Sequence, residues 1–206
     1  MTEPRPTRGL IFAVTAMGLL NNALIMSSTP EILAAFDAPI SSAGILIACG
    51  TVTGILAAPG IGILADRFGR KRVIVSCLVV FGMFGGIGGL APSLEWLFFA
   101  RICQGLGSAG LINLAVVIIS DHWKGLDRAR LIGQNSAVIT VCLAIFPFLG
   151  GVITDLFGWR WVFSLYTSAV ILAALLWIRF VDIWEPRLVP VGEQFRFALT
   201  LSLIHI

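Results

Sequence analysis

The sequence predicts an all-α membrane protein with six transmembrane helices, and three observations lead there. Apolar residues make up 58% of the 206 positions, charged residues only 12%, and the mean hydropathy is +0.97. A soluble domain carries about 25% charge. The charges gather into clusters separated by uncharged gaps at 9–30, 38–65, 73–94, 102–120, 131–154 and 161–178, and each gap meets the roughly 17–25 residues that a spanning helix needs. Twelve of the fourteen Lys and Arg residues fall in alternate segments between those gaps, the asymmetry that orients helices in a membrane.

Taken in order, the spans are expected at about 9–30, 43–65, 73–92, 96–120, 131–153 and 161–180. The second gap is the longest, and its first residues, Ala38, Pro39, Ile40, Ser41 and Ser42, read as loop. None of the runs alternates with period two, and inside lipid only helices or closed barrels satisfy the backbone. The first span is too long for a signal h-region, contains Asn21 and Asn22, and is not followed by an A-x-A site, so it reads as a retained helix. Arg5 and Arg8 precede span one; Arg67, Arg70, Lys71 and Arg72 lie between two and three; Lys124, Arg128 and Arg130 lie between four and five. Arg179, Arg187 and Arg196 come after span six, while the opposite side holds only Arg160. The basic side is expected to be cytoplasmic, with residues 1–8 as a cytoplasmic amino terminus. Trp96, Phe98, Phe99, Trp159, Trp161 and Trp184 sit near span ends, as an interfacial aromatic belt does.

The composition also removes function classes. Cys49, Cys77, Cys103 and Cys142 fall inside spans and read as small core residues, with no disulfide framework and no metal spacing. His122 and His205 stand far apart. The clustered histidines or acids of a membrane enzyme do not appear, so no catalytic residue, metal or cofactor is expected, and no nucleic-acid partner.

Two segments 89 residues apart share the frame G-x-x-x-D-x-F-G-x-x-x-V: one runs from Gly62 through Asp66 and Gly69 to Val73, the other from Gly151 through Asp155 and Gly158 to Val162. Three spans separate them, an odd number, so the copies face opposite sides. A 3+3 inverted repeat of this kind is a transporter building plan; the plainer alternative is two unrelated glycine turns. In the first copy Gly62 is suited to close helix approach, and Gly69 to a tight turn. Asp66 ends a helix whose dipole disfavours an acid there, so it needs a basic partner or the start of another helix. Arg70 can pair with an acid on a neighbouring helix, and Asp121 at the end of span four is the candidate.

The stretch Gly62-x-x-x-Asp66-Arg67-x-Gly69-Arg70-Lys71-Arg72 resembles the signature loop between helices two and three of the major facilitator superfamily. The resemblance implies half of a twelve-helix fold, in which Asp66, Arg70 and Asp121 belong to a conformational latch between two six-helix halves. Lys71 and Arg72 are expected to do no more than set topology. A second match, Arg101-x-x-Gln104-Gly105-x-Gly107, resembles the fourth-helix motif of the same family. Arg101 is the one charge well inside a span, where an unpaired charge costs several kcal/mol. With Gln104 on the same helix face, it is expected in the central cavity, serving proton coupling or substrate handling; the alternative is an arginine that snorkels outward near Trp96. No acid lies within any predicted span, so its partners must be backbone carbonyls, Asn21 or Asn22, the substrate, or residues beyond the six spans.

Pro147, Gly150 and Gly151 resemble the proline-kinked helix-five motif of the drug:proton antiporters, although Cys142 and Phe146 replace two of its glycines. The proline is expected to bend the helix, and the two glycines to admit a neighbour. Asn21-Asn22 through Thr29-Pro30 resembles the exporters' first-helix motif, with Asn21 where many of them carry an acid. Asn21, Asn22, Gln104, Asn113, Gln134 and Asn135 either line a cavity or bond helix to helix. The expected function is a secondary active transporter of small organic molecules in a bacterial inner membrane, by proton-coupled efflux and alternating access. Its partners would be substrate, protons, lipid and a covalently continuous carboxyl-terminal half. Uptake by symport and a self-standing six-helix homodimeric channel or scaffold are the alternatives. Residues 181–200 resemble the start of the family's central cytoplasmic loop, and residues 201–206 a translated sequencing adapter, so that tail is expected to be an artefact.

Overall fold

A long apolar stretch in a medium without water must satisfy its backbone within itself, which a helix alone does for a single segment. The computed structural model describes residues 7–179, and among these every span is helical and no strand occurs. Helices α1 (Arg8–Ala35), α2 (Ser42–Phe68), α3 (Arg70–Gly88) and α6 (Gly125–Phe157) are spans one, two, three and five. Span four is built from α4 (Leu94–Ser108) and α5 (Leu111–His122), and span six from α7 (Trp159–Val162) and α8 (Ser164–Arg179). All six units are long and apolar enough to cross a membrane. The expectations for residues 1–6, 181–200, 201–206 and Trp184 lie outside the described residues.

The helices differ from the expected spans chiefly at their ends. The expected spans stop at charge, whereas a helix runs on into the interfacial water. Helix α1 continues past Pro30 to Ala35, and α6 begins at Gly125, so the charged turn holding Asp127, Arg128 and Arg130 is helical and exposed. Proline costs a helix one internal bond, yet Pro30, Pro59 and Pro147 all lie inside continuous helices. Hydroxyls in the spans are satisfied by bonding back to their own helix: Ser28 donates to the Leu24 carbonyl, Thr29 to Ile25, Thr51 to Ile47 and Thr53 to Cys49.

The packing carries the inverted repeat. Helix α1 packs along α6, α2 along α4, and α3 along both α4 and α8. Exchanging the first three spans with the last three turns the span one–five contact into span four–two, and span three–six into itself. The two glycine turns match in backbone. Gly69 has φ +94° and its N–H donates to the Ala65 carbonyl at 3.1 Å; Gly158 has φ +87° and its N–H donates to the Thr154 carbonyl at 2.8 Å. A left-handed φ at both positions is the reason each is glycine. Their placement at opposite ends is fixed by α3, which starts beside Gly69 and whose far end, Gly89 and Ala91, receives hydrogen bonds from Arg160.

The core is made where these faces meet, with Leu24, Ile25, Leu46, Ile74, Leu78, Phe81, Leu97, Phe163 and Tyr166 all buried. Gly82, Gly85, Gly86 and Gly88 of α3, with Gly89 just beyond it, lie against Val170, Tyr166, Thr167 and Phe163, so small residues bring α3 and span six together. Two glycines stand open within this chain: at Gly62 and at Gly151 no atom of a neighbouring helix lies within 4 Å of where a Cβ would stand. Both sit on the least buried spans, two and five, whose most apolar windows are 17% buried against 39–56% for the other four. Gly150 does admit a neighbour, facing Leu24 and Ser27 of α1. Trp159 is also corrected: it is buried against Phe36 and Phe163 rather than placed in an interfacial belt, while Trp96, Phe99 and Trp161 are exposed.

Candidate functional site

Arg101 on α4 is 0% exposed and is wedged between α1 and α2. It does not snorkel. One terminal nitrogen donates to Asn21 Oδ1 at 3.1 Å and to Gln104 Oε1 at 2.7 Å, and the other donates to Asn22 Oδ1 at 3.0 Å. Its Nε and the Gln104 Nε2 are buried without hydrogen-bond partners among the described residues. Three bonds to a charged donor, each about 1.5–3 kcal/mol, offset a burial penalty of several kcal/mol. Among the described residues no acid pairs with Arg101. Neutral amides hold it, as the two asparagines and the i+3 glutamine suggest.

Gly50 of α2 completes the cradle. A Cβ there would stand 2.7 Å from Arg101 Nη2, so any larger residue would displace the guanidinium. A second layer surrounds the first: Asn21 Nδ2 donates to Ser108 Oγ at 3.3 Å and Asn22 Nδ2 to Thr51 Oγ1 at 2.7 Å. Ser108 and Thr51 in turn donate to the Gly105 and Ile47 carbonyls. Gly50, Thr51 and Ser108 were not legible as site residues, because nothing in a one-dimensional string distinguishes them from the other small residues of apolar helices.

Against this wall lies a cleft of about 630 Å³ lined by α1, α2, α5, α6 and the end of α4. Asn21, Asn22, Gly50, Thr51, Ser108 and Asn113 contribute its polar side, and Met26, Ile55, Ile112, Leu143 and Pro147 its apolar side. Asn135 turns out to be an interhelical bond, accepting from Thr15 Oγ1 at 2.8 Å, and Gln134 is exposed away from the cleft. Ser28 and Thr154 make a second buried link between α1 and α6 at 2.7 Å.

At the basic end of the bundle, Arg70 reaches two acids. Nη1 lies 3.1 Å from Asp66 Oδ1, and Nε lies 2.8 Å from Asp121 Oδ2, close enough for an ion pair though not aligned as a hydrogen bond. The expected pairing of Arg70 with Asp121 is therefore present, and it ties the end of α2 and the start of α3 to the end of α5. Arg70 is 12% exposed, but both acids are more than a third exposed, so water competes for the pair. Lys71 lies 5.0 Å from the Trp177 ring centroid, an additional tie between α3 and span six.

A six-span inverted repeat with an open, largely apolar cleft set against a buried arginine is the architecture of half a membrane transporter. Residues 11–204 match the Major Facilitator Superfamily, and the chain belongs to that family. It is 29% identical over 167 residues to the multidrug transporter protein MdtP of Bacillus subtilis, a match covering 81% of this chain and 30% of that protein. Multidrug resistance protein 1 of Bacillus subtilis is 27% identical over 196 residues, covering 95% of this chain and 50% of that protein. The multi-drug resistance efflux pump PmrA of Streptococcus pneumoniae is 32% identical over 160 residues, covering 74% of this chain and 39% of that protein. The chain thus spans half or less of the length of these relatives. A bacterial homologue of the human lysosomal transporter Spinster, solved inward-facing and unoccupied, superposes with a TM-score of 0.77 at 21% identity over 90% of this chain and 46% of that one, a likeness of fold.

Proposed function

We propose that this chain is the amino-terminal half of a secondary active transporter that exports small amphipathic organic molecules across a bacterial inner membrane. It works by alternating access with proton coupling. The observation that carries the proposal is the fully buried Arg101, held by neutral amides directly behind an open cleft. A permanently charged residue in that position adds nothing to a static bundle that an apolar residue would not supply at lower cost. The names and lengths of the relatives support efflux and a second half of comparable size. Spans two and five, the least buried, are the faces on which that half docks. In this reading the amino terminus is cytoplasmic, and Asp66, Arg70 and Asp121 form the latch that closes the cytoplasmic end. Gly62, open within this chain, receives a helix of the second half.

One observation favours uptake as the second reading. Asn21 takes the place where an exporter's proton-carrying acid is expected, and an asparagine cannot be protonated at neutral pH. The experiment is transport by the full-length protein in proteoliposomes, with and without an imposed pH gradient. Arg101→Ala and Asp66→Asn are each expected to lower transport by at least about tenfold while the protein still inserts into the membrane. Undiminished transport by both variants rejects the assigned roles, and indifference to the pH gradient rejects proton coupling.

A further inference from the structure

We infer that the cleft beside Arg101 takes lipophilic organic anions in preference to lipophilic cations of the same shape. This rests on the transport reading only for the claim that what binds there is also moved. Charge and amide direction lead to it, and among the described residues the rest of the cleft lining carries no charge to oppose it.

The first is charge. A guanidinium stays protonated at every physiological pH, and this one lies immediately behind the wall, in contact with Asn21, Asn22 and Gly50, which line the cleft. Among the described residues no acid lines the cleft and none pairs with Arg101. At a separation of about 8 Å and an effective dielectric of about 20, a single fixed charge separates anion from cation by well over tenfold. Water in an open cleft reduces that figure.

The second is the direction of the amides. A guanidinium has donors and no acceptor, so both asparagine oxygens must face it. Each carboxamide therefore turns its NH₂ group the other way. One N–H of Asn21 goes to Ser108 and one of Asn22 to Thr51. Ser108 and Thr51 both line the cleft, so each amide gives a hydrogen to the cleft wall and its oxygen to Arg101.

The third is what the rest of the cleft lining offers. A helical proline frees the carbonyl four residues before it. For Pro30, Pro59 and Pro147 these belong to Met26, Ile55 and Leu143, all of which line the cleft. They are neutral acceptors, able to take a hydroxyl or amide of the substrate, but they carry no net charge to balance Arg101. Charge, rather than the number of hydrogen bonds, decides the selection.

The test uses tetraphenylborate and tetraphenylphosphonium, two ions of nearly equal shape and opposite sign. Their binding to the full-length protein in zwitterionic lipid nanodiscs is measured by equilibrium dialysis, with empty discs subtracted. The borate is expected to bind about tenfold or more tightly. Asn21→Asp, which sets a carboxylate against Arg101, is expected to bring the ratio below about threefold. Asn113→Asp, on the exposed part of the cleft wall and outside the buried network, is expected to narrow it in the same direction. Equal or tighter binding of the phosphonium, or a ratio unmoved by both substitutions, overturns the inference. Flux is read separately in proteoliposomes. Anion-selective binding without flux rejects the transport reading while the anion site stands; flux selective for the phosphonium rejects the anion site while the transport reading stands.

Discussion

The turn at Gly69 and the turn at Gly158 are the same piece of backbone put to two uses. Each glycine ends one helix, adopts a left-handed φ and starts the next. The side chains after the two glycines differ. Next to Gly69 comes Arg70, which bridges Asp66 and Asp121 where water reaches both acids. Next to Gly158 comes Trp159, at the repeat-equivalent position, buried with its ring 5.6 Å from Phe36 at the end of α1. Arg160 then stacks on Trp159 and donates to the Gly89 and Ala91 carbonyls, capping the end of α3. Asp155, the counterpart of Asp66, is exposed. The repeat therefore specifies a turn, while the side chains specify how firmly its end is held. Apolar packing and carbonyl capping hold one turn firmly; at the other, water reaches the charge pairs and they can be exchanged, as the proposed latch requires.

Substitutions sharpen that contrast. Trp159→Ala should have the largest effect on stability, a loss of about 3–5 kcal/mol for an emptied aromatic site, seen as a lower thermal midpoint in detergent and indifferent to salt. Gly69→Ala and Gly158→Ala should each cost about 1–3 kcal/mol, because a positive φ with an extended ψ is nearly closed to any residue but glycine; clearly unequal losses would break the claim that the two turns share one backbone. Arg70→Gln should cost least, about 1 kcal/mol or below, shrinking as salt screens the wild-type pair. Its transport should nonetheless fall by about tenfold or more if the pair is a latch. A large, salt-independent loss of stability in Arg70→Gln would instead make the pair a structural rivet like its aromatic counterpart.

Much of the fold was legible because lipid imposes a crude rule. A span must be long and uncharged, so six gaps in charge became six spans, and a motif repeated across three spans became an inverted pair. The ion pair of Arg70 with Asp121 was legible too, since two opposite charges at helix ends on one side have few other partners. What residue type left undecided has one physical origin. It makes Gly62 and Gly151 contact points without saying what they meet, and both lie on the two spans most open within this chain. A place near a span end makes Trp159 interfacial, yet neighbouring helix ends bury it.

By itself, then, the order of residues determined the number of spans, their alternating direction, their pairing into two triplets and the presence of one charge among them. These arise from properties summed along a segment: hydropathy, charge and the flexibility of glycine. Only the tertiary structure decided that Asn21, Asn22 and Gln104 together enclose Arg101, that Gly50 leaves room for it, and that the asparagine amides give hydrogens to Ser108 and Thr51. Those outcomes depend on which faces of α1, α2 and α4 meet and at what height, and residues about 80 apart in the chain are brought within hydrogen-bonding distance only once the helices have packed.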